Sequence, residues 1–267
     1  MIAFQDIVSG LDWLGIGRSR PVIAHASLSA FGEVEGGAQT VMQAILSVFE
    51  TVVMPGFTYK TMLVPEEGPA GNALVYGSYS DSNQMAEFFR PDMAVDRLMG
   101  VIPEALRRHP GSRRSLHPIL SFVGVNADRY LDCQTLASPL GPVKALVDAQ
   151  GWVILLGVSH SVNTSIHYAE SLAGRRQFLR WALTLDGVVE CPGFPGCSDG
   201  FEALGSRLSS VTRQAHIGQA LVQAVPLVDL VAIAAASVEA DPLALLCDRP
   251  FCERCTAVRN QVLGRDG

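Results

Sequence analysis

The sequence predicts an α/β fold, a mixed central β-sheet flanked by helices. Two observations carry this reading. Short apolar runs rich in β-branched residues recur at Pro21–Ala24, Thr51–Met54, Ile119–Val125 and Val153–Val158, each about the length of a buried strand. The first and last of them run through small and polar residues into a helical pattern, the alternation of layered α/β proteins. With 267 residues, 48% of them hydrophobic and 17% charged, the chain can bury a large core as one domain spanning 1–267.

In chain order, Asp6–Leu14 reads as an amphipathic helix with Ile7, Leu11 and Leu14 on one side, ended by Gly15 and Gly17. The first strand leaves through His25, Ala26, Ser27, Leu28 and Ser29 to Gly32, and Gly36 and Gly37 then open a helix carrying Val41, Ala44, Ile45 and Val48. Free backbone N–H groups at such a helix start suit a phosphate or pyrophosphate. The spacing matches neither a P-loop nor a dinucleotide fingerprint, so a plain strand-to-helix turn stays open beside the anion site. Thr51–Met54 ends at Pro55 and leads into Gly56, Phe57, Thr58 and Tyr59, the kind of strand edge where α/β proteins bind ligands.

Residues 60–95 lose all periodicity among Pro65, Gly68, Pro69, Gly71 and Gly77. That is too long for a simple connection and reads as a substrate-covering excursion. Asp96–Arg108 reads as a helix with Pro103 near its first turn, ended by Pro110 and Gly111. Arg113 and Arg114 follow, with Ser115 and His117; guanidinium forks bind phosphate bidentately, and solvent-facing charge is the alternative. After a helix at Pro142–Ala149, the strand Val153–Val158 enters a polar loop in which Asn163 or Thr164 can cap a helix.

His167 and Glu170 lie three apart on that helix and share a face. The carboxylate can orient the imidazole and raise its basicity, as a proton-abstracting histidine requires. Taken alone, the pair also reads as a surface ion pair. Leu172 and Phe178 continue the apolar face, with Arg175, Arg176 and Arg180 on its wet side. Asp186–Gly187 marks a hairpin turn within Ala182–Val189. Gly218–Gln223 reads as a short helix, Leu227–Ala236 as a strand or buried helix, and Asp241 with Pro242 as the start of a final helix bearing Leu243, Leu245 and Leu246.

The net charge of -6 offers no basic surface for nucleic acid and suits a cationic ligand. No signal-like opening and no membrane-length apolar run is found, so no membrane partner and a cytoplasmic location are expected. Six cysteines do not make a disulfide scaffold in a chain of this length. Within a Cys-containing part, 190–260, Cys252 and Cys255 form one half of a structural zinc knuckle that Cys247 and Cys197 would complete. Cys191 competes with Cys197 for that role, and unligated thiols or a disulfide are the alternatives.

Several motifs occur in a specific order: HASLSAFGEVEGGAQTV (25–41), VMPGFTY (53–59), MGVIPEALRRHPGSRRSLHPILSFVGVNA (99–127), LGPVKALV (140–147) and VILLGVSHSVNTSIHYAE (153–170). Together they resemble the aminoglycoside 3-N-acetyltransferase family, and the likeness continues through GCSDGF (196–201) and LLCDRPFCERC (245–255). The resemblance implies that family's layered fold and transfer of acetyl from acetyl-CoA to the 3-amino group of a 2-deoxystreptamine aminoglycoside, by direct attack in a ternary complex. It carries His25, Ala26, Ser27, Leu28, Ser29, Gly36, Gly37, Arg113, Ser115 and His117 to the cofactor. It makes His167 the general base, Glu170 its orienter or a contact to a cationic substrate, and Thr164 or nearby amides the oxyanion donor. Tyr59, Asp81, Asn163 and Glu170 are expected at the substrate; Glu87, Asp92 and Asp96 can join Asp81 in lining the acceptor cleft, with solvent-facing carboxylates as the alternative for each. Excursion 60–95 departs most from the family pattern, so an N-acyltransferase for another amine is the enzyme alternative, and a zinc-stabilised binding protein the nonenzymatic one. A monomer or a small homo-oligomer are both compatible.

Overall fold

The computed structural model describes residues 1–77 and 81–265, with only the backbone of residues 81 and 82. In chain order the elements are α1 (Phe4–Trp13), β1 (Val22–Ala26), α2 (Gly37–Val48), β2 (Val52–Pro55), β3 (Met62–Leu63), α3 (Asp81–Gln84), α4 (Val101–Arg107), β4 (Ser112–Arg114), β5 (Phe122–Val125), α5 (Asp128–Leu131), α6 (Gly141–Asp148), β6 (Trp152–Leu156) and α7 (Thr164–Leu172). They continue with β7 (Phe178–Thr184), β8 (Gly187–Phe194), α8 (Gly205–Leu208), β9 (Arg213–Ile217), β10 (Ala220–Pro226), α9 (Leu227–Ala240) and α10 (Glu253–Val262), with single-turn helices between several of them.

Seven strands form one mixed sheet in the order β4-β5-β2-β1-β6-β10-β9, and β3-β7-β8 form a second. Only the centre of the large sheet is parallel: β1 pairs with β2 on one side and with β6 on the other, while its outer pairs are antiparallel. Strands buried on both faces are continuously apolar, as Val22–Ala24 and Val153–Leu156 are. Side chains alternate across β6: Val153 and Leu155 enter the core with Ile166 and Leu230, whereas Ile154 and Leu156 enter the one with Ile7 and Ile45. Helices therefore cover both faces, as expected.

Four local readings are corrected. Helix α7 stops at Leu172 because Gly174 takes φ +74°, and Phe178 lies on β7. Arg175 and Arg180 are consequently buried, not on a wet face. Gly218–Gln223 belongs to the β9–β10 hairpin, whose turn uses Gly218 at φ +58°. Residues 242–245 form turns, with Asp241 Oδ1 accepting the Leu243 N–H at 2.9 Å, and the last helix is α10. Asp96–Arg108 divides into a turn at Arg97–Met99 and α4, with Pro103 in the first turn of α4. Leu227–Ala236 resolves as the buried helix, and the hairpin at Gly187 joins β7 to β8.

Candidate active site

Three parallel strands end at one edge of the sheet. Ala24, His25 and Ala26 of β1, Pro55 of β2 and Val158 just beyond β6 there line a cleft of about 1160 Å³. Parallel strand ends with diverging connections are where open α/β sheets take ligands. Gly157, at φ +66°, lets the turn after β6 lie on the turn after β1, since a Cβ there would sit 2.3 Å from that of Ala30. The cleft is completed by Tyr59, by Leu98–Val101, and by Phe194–Asp199 with Arg249 and Arg254.

Helix α7 begins in this cleft. Asn163 Oδ1 caps it by accepting the Ser165 N–H at 3.1 Å, and Thr164, its first residue, lines the cavity. The positive end of the helix thus lies at the site. One turn on, His167 Nδ1 is 2.7 Å from Glu170 Oε2, with both side chains buried. A carboxylate on Nδ1 fixes the tautomer with Nδ1–H donating, which leaves Nε2 as an acceptor. Phe201 stacks edge-on against the imidazole, ring centroids 4.7 Å apart. Glu170 Oε1 accepts from Arg175 Nη1 at 2.9 Å, and Arg175 Nη2 donates to the carbonyls of Pro242 and Ala244 at 3.0 and 2.7 Å.

At the exit of β1 the environment is different. Burial, assisted by His160, pushes the His25 imidazole down to about 3, and its Nε2 has no partner among the described residues. Ser27 and Ser29 join through their hydroxyls at 3.1 Å, and Leu28 lies between them on the lining. Burial pushes the Tyr59 phenol up to about 12 against the opposing influence of Arg254.

The structure brings His25, Ala26, Ser27, Leu28, Ser29, Tyr59, Thr164 and His167 to one cavity and leaves other expected residues outside its lining. Arg113 stands on β4, three strands from β1, with its guanidinium taken up by Asp128 and Asp132. Ser115 bonds the Phe122 N–H and Gln134. His117 Nδ1 accepts the N–H groups of Ile119 and Leu120 at 3.2 and 3.0 Å, a turn-capping role. Gly36 and Gly37 start α2 away from the lining, and Asn163 is a buried cap rather than a cleft residue. The Asp81 side chain lies outside the described residues. Glu87 pairs with Lys60, Asp92 with Arg90, and Asp96 caps Leu98. Asp199, paired with Arg249, is the acid lining the cleft among the described residues. Asp199, Arg249 and Arg254 escaped the sequence reading, although all three fall in the GCSDGF and LLCDRPFCERC motifs.

Those motifs also assemble the thiols. The sulfurs of Cys197, Cys247, Cys252 and Cys255 all lie within 4.8 Å of one another, while Cys191 sits apart in the apolar core. Zn–S bonds of about 2.3 Å in a tetrahedron put sulfurs roughly 3.8 Å apart, so the set fits a tetrathiolate cation site. The Cys247 N–H pointing at Cys255 Sγ, at 3.4 Å, suits a thiolate. Next to Cys255 and buried, the Cys197 thiol is pushed up, so without a cation it holds its proton. Cys197 also lines the cleft. Among the described residues no helix is long and apolar enough to cross a membrane.

Comparison with known proteins finds relatives in both fold and sequence. A solved aminoglycoside acetyltransferase, AAC(3)-IVa in its apo form, superposes with a TM-score of 0.79 over 97% of each chain at 24% identity, a likeness of fold. The Bacillus subtilis SPbeta prophage-derived aminoglycoside N(3')-acetyltransferase-like protein YokD is 34% identical over 176 residues, 62% of this chain and 64% of its own. Aminoglycoside N(3)-acetyltransferase III of a Salmonella species is 30% identical over 227 residues, 75% of this chain and 78% of its own. The matched part is under two thirds of YokD and of the Streptomyces fradiae enzyme, aminoglycoside N(3)-acetyltransferase VIII, where it is 60%. The family model for aminoglycoside 3-N-acetyltransferases matches residues 23–239, a stretch that contains β1 from Ile23 onward, the cleft's strand ends and the His167–Glu170 pair. The chain belongs to the aminoglycoside 3-N-acetyltransferase family.

Proposed function

We propose that the protein transfers acetyl from acetyl-CoA to the 3-amino group of a 2-deoxystreptamine aminoglycoside by direct attack in a ternary complex. The observation that carries this is the buried His167–Glu170 pair, 2.7 Å apart, at the mouth of a cleft built from three parallel strand ends. Acetyl-CoA supplies an acetyl group activated as a thioester. Ala26, Ser27, Leu28 and Ser29 at the exit of β1 would hold it, beside a buried His25 Nε2 that has no partner among the described residues. The acceptor, as free amine, attacks the carbonyl carbon; the N–C bond forms, the C–S bond breaks, and the attacking nitrogen loses a proton to His167 Nε2, which passes it to the leaving thiolate. Glu170 stabilises the imidazolium meanwhile, and Thr164 at the positive start of α7 faces the charge developing on the carbonyl oxygen.

In this reading residues 1–267 work as one unit, with 60–95 covering the acceptor and 190–260 supplying the thiol-bearing wall. Dependence on acetyl-CoA fits a cytoplasmic enzyme. Cys197, Cys247, Cys252 and Cys255 would hold a structural zinc ion that pins the 195–199 loop to α10. Protein purified without added metal should carry about one zinc per chain, the stoichiometry of a single tetrathiolate site, and C252S/C255S should lose it together with thermal stability. Metal at background level in the parent protein would end that assignment.

A second acceptor class has one observation in its favour. Among the described residues the cleft lining offers Arg249 and Arg254 and only the paired Asp199 as an acid, an unwelcoming surface for a polycation and a better one for an amine that also bears an anionic group. Release of free coenzyme A, followed with acetyl-CoA against a panel of aminoglycosides, simple amines and amines carrying carboxylate or phosphate, separates the two. Turnover with aminoglycosides is expected. Turnover confined to the other amines would replace the acceptor, and acetyl-CoA binding without turnover on any amine would overturn both readings.

A further inference from the structure

We propose that Arg175 is a positioning residue for the reaction: it holds Glu170 ionised and aimed at His167 by tying its carboxylate to the backbone of residues 242–244. This rests on His167 being the base.

Both oxygens of Glu170 are committed, Oε2 to His167 at 2.7 Å and Oε1 to Arg175 at 2.9 Å. The Glu170 and Arg175 side chains are each 2% exposed. A carboxylate that buried, without a cation beside it, would take up a proton or share the one on its histidine. Arg175 makes the pair neutral overall, so Glu170 stays an acceptor for the imidazole N–H. The guanidinium is anchored at its far side as well. Nη2 donates to the carbonyls of Pro242 and Ala244, which are 67 and 69 residues away in the chain. Sequence-local geometry assists: the Arg175 N–H donates to the Glu170 carbonyl at 2.9 Å, and Gly174 at φ +74° folds the chain back so that Arg175 returns beneath α7. A lysine has one point charge and no planar fork, so it cannot span a carboxylate and two carbonyls.

Among the described residues Arg175 is the cation bonded to Glu170; Arg249 and Arg254 line the same cavity as His167, with Arg249 paired to Asp199 and Arg254 donating to the Gly196 carbonyl. On α6, Lys144 and Asp148 pair with each other on the surface, and Asp229 and Glu239 on α9 are partly or fully exposed. Glu202 is held by the His160 N–H, Arg207 by Ser237, and Asp241 by the Leu243 N–H. His25, on the same cavity lining, is neutral. Removing the arginine therefore leaves the Glu170 charge unopposed, and the His167–Glu170 couple should keep its proton to higher pH.

The test is the pH profile of kcat/KM and kcat for the full chain with acetyl-CoA and the best acceptor. In R175M the acid limb should move up by about one pH unit or more, with kcat about tenfold or more below wild type at neutral pH, recovering at higher pH, and KM for acetyl-CoA little changed. The double variant E170Q/R175M, which removes both buried charges, should return the limb toward its wild-type position. A uniform loss at every pH with an unmoved limb would mean that Arg175 only supports the fold and would overturn the proposal. If R175M does not fold, R175K decides, since it keeps the charge and loses the fork: kcat should fall about threefold to tenfold with the limb in place, and wild-type kcat would overturn the proposal. Near-normal turnover in H167A would instead sink the base assignment on which the proposal rests, a distinguishable failure.

Discussion

The two walls of the cleft each present a buried histidine, and only one of them is equipped to be a base. At the end of β1, His25 has no carboxylate partner among the described residues; burial and the neighbouring His160 push it down to about 3, so it stays neutral at physiological pH. At the first turns of α7, His167 has Glu170 at 2.7 Å, backed by Arg175. Burial alone makes a histidine a poor proton acceptor, because the cation it would become is unsolvated. Burial beside a carboxylate makes it a good one, because the imidazolium finds its counter-charge already in place. The same cavity therefore separates the roles: proton transfer on the helix wall, donor binding on the strand wall.

Exchanging the two histidines breaks this comparison in different ways. The largest effect should come from H167A, which is expected to lower kcat by about 10²–10⁴-fold while leaving KM for acetyl-CoA nearly unchanged in steady-state assays. H25Q should act on binding instead, raising KM for acetyl-CoA about threefold to tenfold, the worth of one hydrogen bond, with kcat close to wild type. A kcat loss in H25Q as large as that in H167A would remove the distinction between the walls.

The smallest effect is on stability. The unfolded chain binds a proton on His25 near 6.5 that the folded chain refuses down to about 3. Its contribution is thus fully present above pH 6.5 and is lost as pH falls from there toward 3. His117, pushed down to about 4 by burial, acts in the same direction. H25Q should therefore make the fall of Tm below pH 6.5 shallower without abolishing it, and an identical Tm profile would contradict the burial argument.

What the sequence disclosed follows the range of the forces involved. Strand ends were legible because continuous apolar runs give way to small and polar residues at Ala24, Met54 and Val158. The His167–Glu170 pair was legible because a helix brings residues three apart together. Arg175 was not: it reads as the wet side of a continuing helix until Gly174 breaks that helix and sends the guanidinium to carbonyls nearly seventy residues on. Arg113 misled for the complementary reason. Two adjacent arginines suit a phosphate, but topology sets Arg113 on an edge strand beside Asp128 and Asp132, a juxtaposition no spacing announces. The four thiols were visible as residue types, and only the fold places Cys197 with the other three and on the cleft wall. Arg249 and Arg254 were overlooked because a helix expected from Asp241 proved to be turns, with α10 starting after Cys252.

One measurement bears most directly on the central assignment: the pH dependence of kcat/KM for wild type, H167Q and H25Q, with each variant's fold checked by its thermal transition. The account predicts that wild type and H25Q share an acid limb from the His167–Glu170 couple, and that H167Q loses the limb along with at least about a hundredfold in rate. An acid limb that survives in H167Q at near-wild-type rate would contradict it.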